Sequence, residues 1–282
     1  MAIKTPDTLK GYFNDGDVPN GAEYVDLIDT LSNNPGNAVS FYKTLIGLRG
    51  FWPMSSIGET GAIYDFSEQG KVLSKTGTNP TLGTSDTLTA GMPYGLFYAS
   101  NYLSRVDDAG LSVTGSESYI HSSYQGLTIG AWFRLTVTPA NTANPIISKY
   151  LTVGNQRSYM LYYYLPSYHL RFGISSDGAN FYYAESPASV PITTWHFVVG
   201  RFKPSTHVGI YLNGTWTYNT TSIPATIFDS TSRFELGAYD AGLYTFSHNG
   251  SFYFITASAL TDGIIQRMYD LTKNLFTTQL EI

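Results

Sequence analysis

Apolar and polar residues alternate through much of the second half of the chain. Ile129, Ala131, Phe133, Leu135 and Val137 alternate with Gly130, Trp132, Arg134 and Thr136. A two-residue period of this kind predicts a strand with one face on a core. Runs at 145–149, 158–164, 169–174, 181–184, 195–202 and 208–212 predict further strands. Asn213-Gly214 separates 208–212 from 215–218. A two-residue Asn-Gly loop suits a type I′ turn, because both positions need positive φ, so a tight hairpin is expected there. Upstream, 61–66 and 95–98 are short strand candidates in a loop-rich stretch. A succession of short strands without strand–helix–strand alternation predicts an all-β sandwich or barrel.

Two segments have the helical period instead. Tyr24, Leu27, Ile28 and Leu31 fall on one face of a helix over 22–31, with Asn20 as its N-cap and Glu23 completing a capping box. So short a helix does not stand alone, and its stripe must bury against the same domain, a neighbouring copy or another protein. Residues 33–37 read as a loop or linker. Near the other end, Thr261 caps a helix whose apolar face is Ile264, Met268 and Leu271. The organisation expected is an attachment and oligomerisation segment over 1–50 and a β-sandwich over 51–282.

Composition narrows the function. The 282 residues are 43% hydrophobic and only 13% charged, with 27 Gly, 13 Pro and 23 Tyr. Low charge with abundant aromatics argues against disorder, which needs the reverse composition. The net charge of −5 and the thinly spread Lys and Arg argue against nucleic-acid binding. No apolar run reaches membrane-spanning length. The first residues lack the apolar core of a secretion signal, so Asn213, Asn219 and Asn249 read as turn residues rather than glycosylation acceptors. Cysteine is absent, which excludes disulfides, thiolate metal sites and thiol nucleophiles.

The order of motifs resembles that of laminin-G-like, concanavalin A-like domains. Leu127-Thr128-Ile129-Gly130-Ala131-Trp132-Phe133 is similar to their "TI-x-AW" strand, and Ile146-Ile147-Ser148-Lys149 to "ILSK". Trp195-His196-Phe197-Val198-Val199 is similar to "WHHVA", and Ile210-Tyr211-Leu212-Asn213-Gly214 to "LYVNG". Phe234-Glu235-Leu236-Gly237 and the stretch 250–269 resemble the closing strands and helix, and 63–70 the opening "DxSGNG" turn. The resemblance implies a jelly-roll sandwich of two antiparallel sheets over about 51–282. A second resemblance lies at the N-terminus. Leu9-Lys10-Gly11-Tyr12-Phe13, then Gly16-Asp17-Val18-Pro19, then Tyr24-Val25-Asp26-Leu27-Ile28-Asp29 is similar to the segment that opens many tailed-bacteriophage virion proteins, and 102–111 is of a type found in such appendages.

Relatives of this fold that cleave glycans resemble each other in a strand carrying alternate carboxylates. Here the only i, i+2 acid pair is Asp15/Asp17, outside the sandwich. Asp107 and Asp108 are adjacent, and Glu235 and Asp240 straddle a turn. Catalysis is therefore not expected. The histidines, at 121, 169, 196, 207 and 248, lack ligand spacing, and His196 reads as a hydrogen-bonded structural residue. No cofactor is expected beyond a structural calcium, for which Asp107, Asp108 and Asp240 are the candidates, with turn capping as the plainer alternative. Tyr162, Tyr163, Tyr164, Tyr168, Tyr182 and Tyr183 offer flat rings for a glycan or a protein partner, although tyrosine also suits a half-exposed sheet. The resemblances together imply a non-enzymatic bacteriophage virion surface protein: a capsid decoration, head fibre or tail appendage. It would be made in the host cytoplasm and anchored to other virion proteins by its N-terminal segment, as a homodimer or trimer. The alternative is an adhesin that attaches the particle to host polysaccharide.

Overall fold

A computed structural model of the chain describes residues 35–55, 62–77, 81–84, 93–97, 101–118, 120–139 and 141–277. The helix expected at 22–31, with Tyr24, Leu27, Ile28 and Leu31, lies outside them, as do Asp15 and Asp17.

The elements run α1 (Pro35–Lys43), β1 (Leu48–Trp52), β2 (Ser74–Thr76), β3 (Thr81–Thr84), β4 (Pro93–Phe97), β5 (Tyr102–Arg105), β6 (Leu127–Leu135), β7 (Ala143–Leu151), β8 (Gln156–Tyr164), β9 (His169–Ile174) and β10 (Tyr182–Glu185). They continue with β11 (Trp195–Lys203), β12 (His207–Leu212), β13 (Thr215–Asn219), β14 (Phe234–Leu236), β15 (Ala238–Tyr239), β16 (Tyr244–Thr245), β17 (His248–Thr256) and α2 (Asp262–Thr277). Among the described residues, an eight-stranded sheet has the order β13-β12-β11-β6-β17-β4-β3, with β1 also paired to β17. A seven-stranded sheet has the order β10-β9-β8-β7-β14-β5-β2. All pairings among the described strands are antiparallel, and β15 and β16 form a separate hairpin. This is the two-sheet jelly-roll sandwich.

The inner faces meet through the residues that the period-two pattern selects: Ile129, Ala131 and Phe133 of β6 share one buried cluster with Leu161 of β8 and Leu170 and Phe172 of β9. Gly200 on β11 leaves room for the Phe172 ring, whose atoms come within 2.2 Å of where a Cβ would lie. The Asn-Gly turn forms as expected: Asn213 and Gly214 have φ of 47° and 110°, and Leu212 pairs with Thr215.

Four expectations are corrected. First, β6 buries both faces, because α1 and α2 cover the outer face of the eight-stranded sheet. Ala38 and Tyr42 of α1 and Ile265, Met268, Leu275 and Phe276 of α2 pack there with Trp132, Phe197, Phe252 and Phe254. Val137, expected in the strand, lies beyond it and is exposed. Second, α2 extends to Thr277, and its buried side is Ile265, Met268, Thr272, Leu275 and Phe276, with Leu271 only half-buried. Thr261 does cap it, accepting the Ile264 N–H at 3.4 Å. Third, 35–37 is not linker: Pro35 opens α1, where its missing N–H costs nothing. The boundary drawn at 50 falls inside β1, whose Leu48 pairs with Thr256, so 35–50 pack as part of the sandwich. Fourth, 62–66 lead irregularly into a turn at Phe66–Ser67 rather than forming a strand. The Asp65 carboxylate accepts N–H groups from Phe51, Ser67 and Lys71, and Ile63 makes a lone bridge with Leu73.

Candidate functional site

The three aspartates proposed for calcium are engaged elsewhere. Arg105 of β5 and Lys149 of β7 flank Phe234 of β14 in one inward-facing row of the seven-stranded sheet. Asp108 neutralises Arg105 (2.8 Å) and Lys71 (2.6 Å) and accepts the Gly110 N–H at 2.8 Å. Burial would raise its carboxyl, but these donors outweigh that and hold it at about 2. Asp107 takes the Lys149 Nζ at 2.7 Å. Asp240 lies apart, accepting the Thr152 N–H and hydroxyl at 2.5 and 2.6 Å. Among the described residues, no group of three or more His, Asp or Glu side chains could hold a metal ion. The two adjacent aspartates are countercharges to Lys71, Arg105 and Lys149, and Asp240 pins a turn.

The tyrosines separate by strand parity. Tyr163 points into the core, 2% exposed, and Tyr182 packs partly against it. Tyr168 is 54% exposed at the β8–β9 turn. Tyr162, Tyr164 and Tyr183 are brought together on the outer face of the seven-stranded sheet, where Tyr162 pairs with Arg171 and Arg171 with Glu185 across three strands. The Arg171 guanidinium lies 3.5 Å from the Tyr164 ring centre and 4.4 Å from that of Tyr183, and its Nε holds Glu185 at 2.6 Å. Tyr162 is buried beneath them; burial pushes its phenol up to about 12 while Arg171 opposes the rise. Tyr183 remains 40% exposed. Further along the face, Tyr150 meets Tyr239 edge-on at 5.5 Å, and Tyr239 stacks on Tyr244 at 4.7 Å. This leaves a tyrosine-rich surface with a fixed, internally neutralised charge pair. It can stack on the apolar side of a ring and hydrogen-bond through phenol, guanidinium and carboxylate edges.

Sequence reading missed Arg171, Glu185, Tyr150, Tyr239 and Tyr244. Arg171 was legible in principle, because it alternates with the core residues Leu170 and Phe172 and so must face outward. The position of the hairpin that carries Tyr239 and Tyr244 has no such local signal.

Of the remaining titratable candidates, His196 and His248 are buried, His169 and His207 are half-buried and His121 is exposed. Burial holds His196, His207 and His248 at about 4, so all three are neutral near pH 7. His196 Nδ1 hydrogen-bonds the Asn213 side-chain amide at 2.8 Å, and His248 joins the Phe246 carbonyl to the Tyr253 hydroxyl. Glu235 lies on the outer face of the seven-stranded sheet but is covered, 1% exposed, while Asp240 is committed to Thr152.

No curated protein matches the chain. Among solved structures, the binding domain of Paraclostridial Mosquitocidal Protein 1 is similar with a TM-score of 0.61 at 10% identity, covering 81% of this chain and 52% of that one. The binding domain of botulinum neurotoxin DC, solved with rat synaptotagmin II, gives 0.56 at 13% identity, covering 79% and 51%. Domain 4 of an extracellular GH43 arabinanase from Geobacillus stearothermophilus, solved with arabinotriose, gives 0.54 at 13% identity, covering 79% and 97%. The chain thus spans about half the length of the toxin binding domains and the fold of the arabinanase domain. A family model described as Laminin_G_3, of the concanavalin A-like lectin/glucanases superfamily, matches residues 108–254, more than half of the chain. With the jelly-roll topology, that match places this chain in the laminin-G-like family of the concanavalin A-like lectin/glucanases superfamily.

Proposed function

We propose that this chain is a non-enzymatic recognition module that binds a glycan on the outer face of its seven-stranded sheet. One observation carries the reading. Helices close the outer face of one sheet, whereas the other presents Tyr164 and Tyr183 around Arg171 and Glu185, beside the Tyr239–Tyr244 pair. Aromatic faces beside fixed polar edges suit sugars, which have both apolar C–H faces and equatorial hydroxyls. The arabinanase domain of similar fold, solved with arabinotriose, supports the same reading. Tyr183→Ala is expected to weaken oligosaccharide binding at least tenfold by titration calorimetry, with an unchanged melting temperature, because the ring is exposed and bears no core contact. Glycan-array and calorimetric screens without binding at millimolar sugar would sink the reading.

The setting is a second inference, from the N-terminal motif order. The module is displayed on a bacteriophage virion, as decoration, head fibre or tail appendage, anchored by the segment that carries Tyr24, Leu27, Ile28 and Leu31, and assembled as a dimer or trimer. Deletion of residues 1–34, which leaves α1 and β1 in place, is expected to give a folded domain that no longer enters particles. A truncated chain that still copurifies with particles contradicts the anchor.

A further inference from the structure

After β14 the chain turns at Gly237 and doubles back across the outer face of its own sheet. The resulting β15–β16 hairpin is fastened at several points. The Ser148 hydroxyl donates to the Ala238 carbonyl at 2.7 Å, and the Asp240 N–H donates to the Tyr150 carbonyl at 3.1 Å. The Asp240 carboxylate holds Thr152, and the Tyr102 hydroxyl reaches the Ala241 carbonyl at 3.4 Å. At the tip, Asp240, Ala241 and Gly242 have φ of 56°, 56° and 84°. Two successive non-glycine residues in the left-handed region are strained, and such strain persists only while the surroundings impose it.

Beneath the hairpin lies the Glu235 side chain. It is 1% exposed, and its Oε1 has no hydrogen-bond partner. Its row neighbours on β5 and β7 are Ser104 and Ser148, neither of them charged, and the Ser148 hydroxyl is already given to Ala238. The charged groups that face it are Arg233, on the approach to β14, and Asp240, on the hairpin, and they act with opposite signs. Burial raises the carboxyl to about 7, with Arg233 and the Ala241 N–H opposing the rise and Asp240 adding to it. A neutral carboxyl tolerates this enclosure. An ionised one, with an oxygen unsatisfied in a dry site, does not.

We propose that Glu235 is a proton-operated latch: neutral, it lets the hairpin lie on the sheet; ionised, it drives the hairpin off and removes the Tyr239–Tyr244 wall from the binding face. The latch therefore makes recognition weaken as pH rises, a step that rests on the glycan-binding reading, whereas the hairpin movement does not. The sign follows from linkage. The closed form holds a proton that the open form releases above its ordinary value of 4.5. Closure is fully favoured below 4.5, weakens by up to tenfold per pH unit up to about 7, and is level above that.

Hydrogen exchange of the 238–245 amides in the full chain, corrected for intrinsic chemical rates, tests this between pH 5 and 8. Protection should fall at least tenfold in the wild type and stay constant in Glu235→Gln. The same pH profile in both proteins overturns the latch. If the Gln variant does not fold, carboxyl-carbon NMR of the wild type decides: Glu235 titrating near 7 supports the latch, and near 4.5 overturns it. Oligosaccharide affinity measured in parallel separates the two readings. Hairpin opening with unchanged affinity overturns the regulation. Absence of binding at every pH overturns the recognition reading and leaves the exchange profile to judge the latch.

Discussion

Trp132→Ala is expected to destabilise the protein by about 4 kcal/mol and to detach α2 from the sheet. The indole is fully buried on the outer face of β6, stacked on Phe276 at 4.7 Å and lying 5.4 Å from Phe197 and 6.0 Å from Tyr269. Removing so large a buried ring typically costs ~3–5 kcal/mol, as lost transfer energy plus the cavity left behind. Its Nε1 also donates to the Thr272 hydroxyl at 2.8 Å, which ties α2 to the sheet by a hydrogen bond as well as by packing. Thr272 is held in position by its own bond to the Met268 carbonyl at 2.6 Å. Trp132→Phe keeps an aromatic ring and loses the hydrogen bond, so about 1–2 kcal/mol is expected. Urea unfolding of the three proteins, with limited proteolysis at the C-terminal helix, checks both claims. A wild-type proteolysis pattern in Trp132→Ala contradicts the role given to this ring.

The second large effect is at Lys149. Its ammonium is completely enclosed and its three donors are all used, on Asp107, the Ser230 carbonyl and the Ser232 carbonyl, at 2.7, 2.5 and 2.7 Å. One side chain thereby fastens β7 to the loop that follows β5 and to the approach to β14. Burial lowers the lysine's affinity for its proton, and Asp107 opposes that. Lys149→Ala strands two buried carbonyls, at ~1–3 kcal/mol each, and opens a cavity, so about 4 kcal/mol is expected. This corresponds to a drop in melting temperature of roughly 10 °C. Lys149→Met restores the stem but not the donors and should fall between. Were Asp107 and Asp108 instead calcium ligands, chelation would lower the wild-type melting temperature and Lys149→Ala would be mild. Calorimetry with and without chelator separates these outcomes.

The limits of sequence reading are physical. Strand positions were legible because alternation is local: β6, β8, β9, β11 and the β12–β13 turn all lie within a few residues of their expected places. The Asn-Gly turn was legible because backbone sterics at two adjacent residues decide it. The site was only half legible. Parity along β8 separates Tyr163 from Tyr162 and Tyr164, but whether an outward ring is wet depends on what else covers it. Tyr162 faces outward and is nonetheless 6% exposed. Asp107 and Asp108 carried the residue type of a cation site, and the cations they meet are Lys149, Lys71 and Arg105.

The sequence by itself determined an all-β sandwich or barrel, its principal strands, its tightest turn and the absence of thiol chemistry, since each depends on periodicity, on local sterics or on composition; that the strands form two stacked sheets was implied by the motif resemblance alone. Only the tertiary structure decided which sheet is sealed by helices and which is open, that a hairpin folds back over Glu235, and that the adjacent aspartates meet basic side chains. Those outcomes depend largely on contacts between residues tens to more than a hundred positions apart, such as Lys149 with Asp107, Ser148 with Ala238 and Trp132 with Thr272. Local pattern does not decide them, because the same outward-facing residue can end against a helix, a hairpin or water.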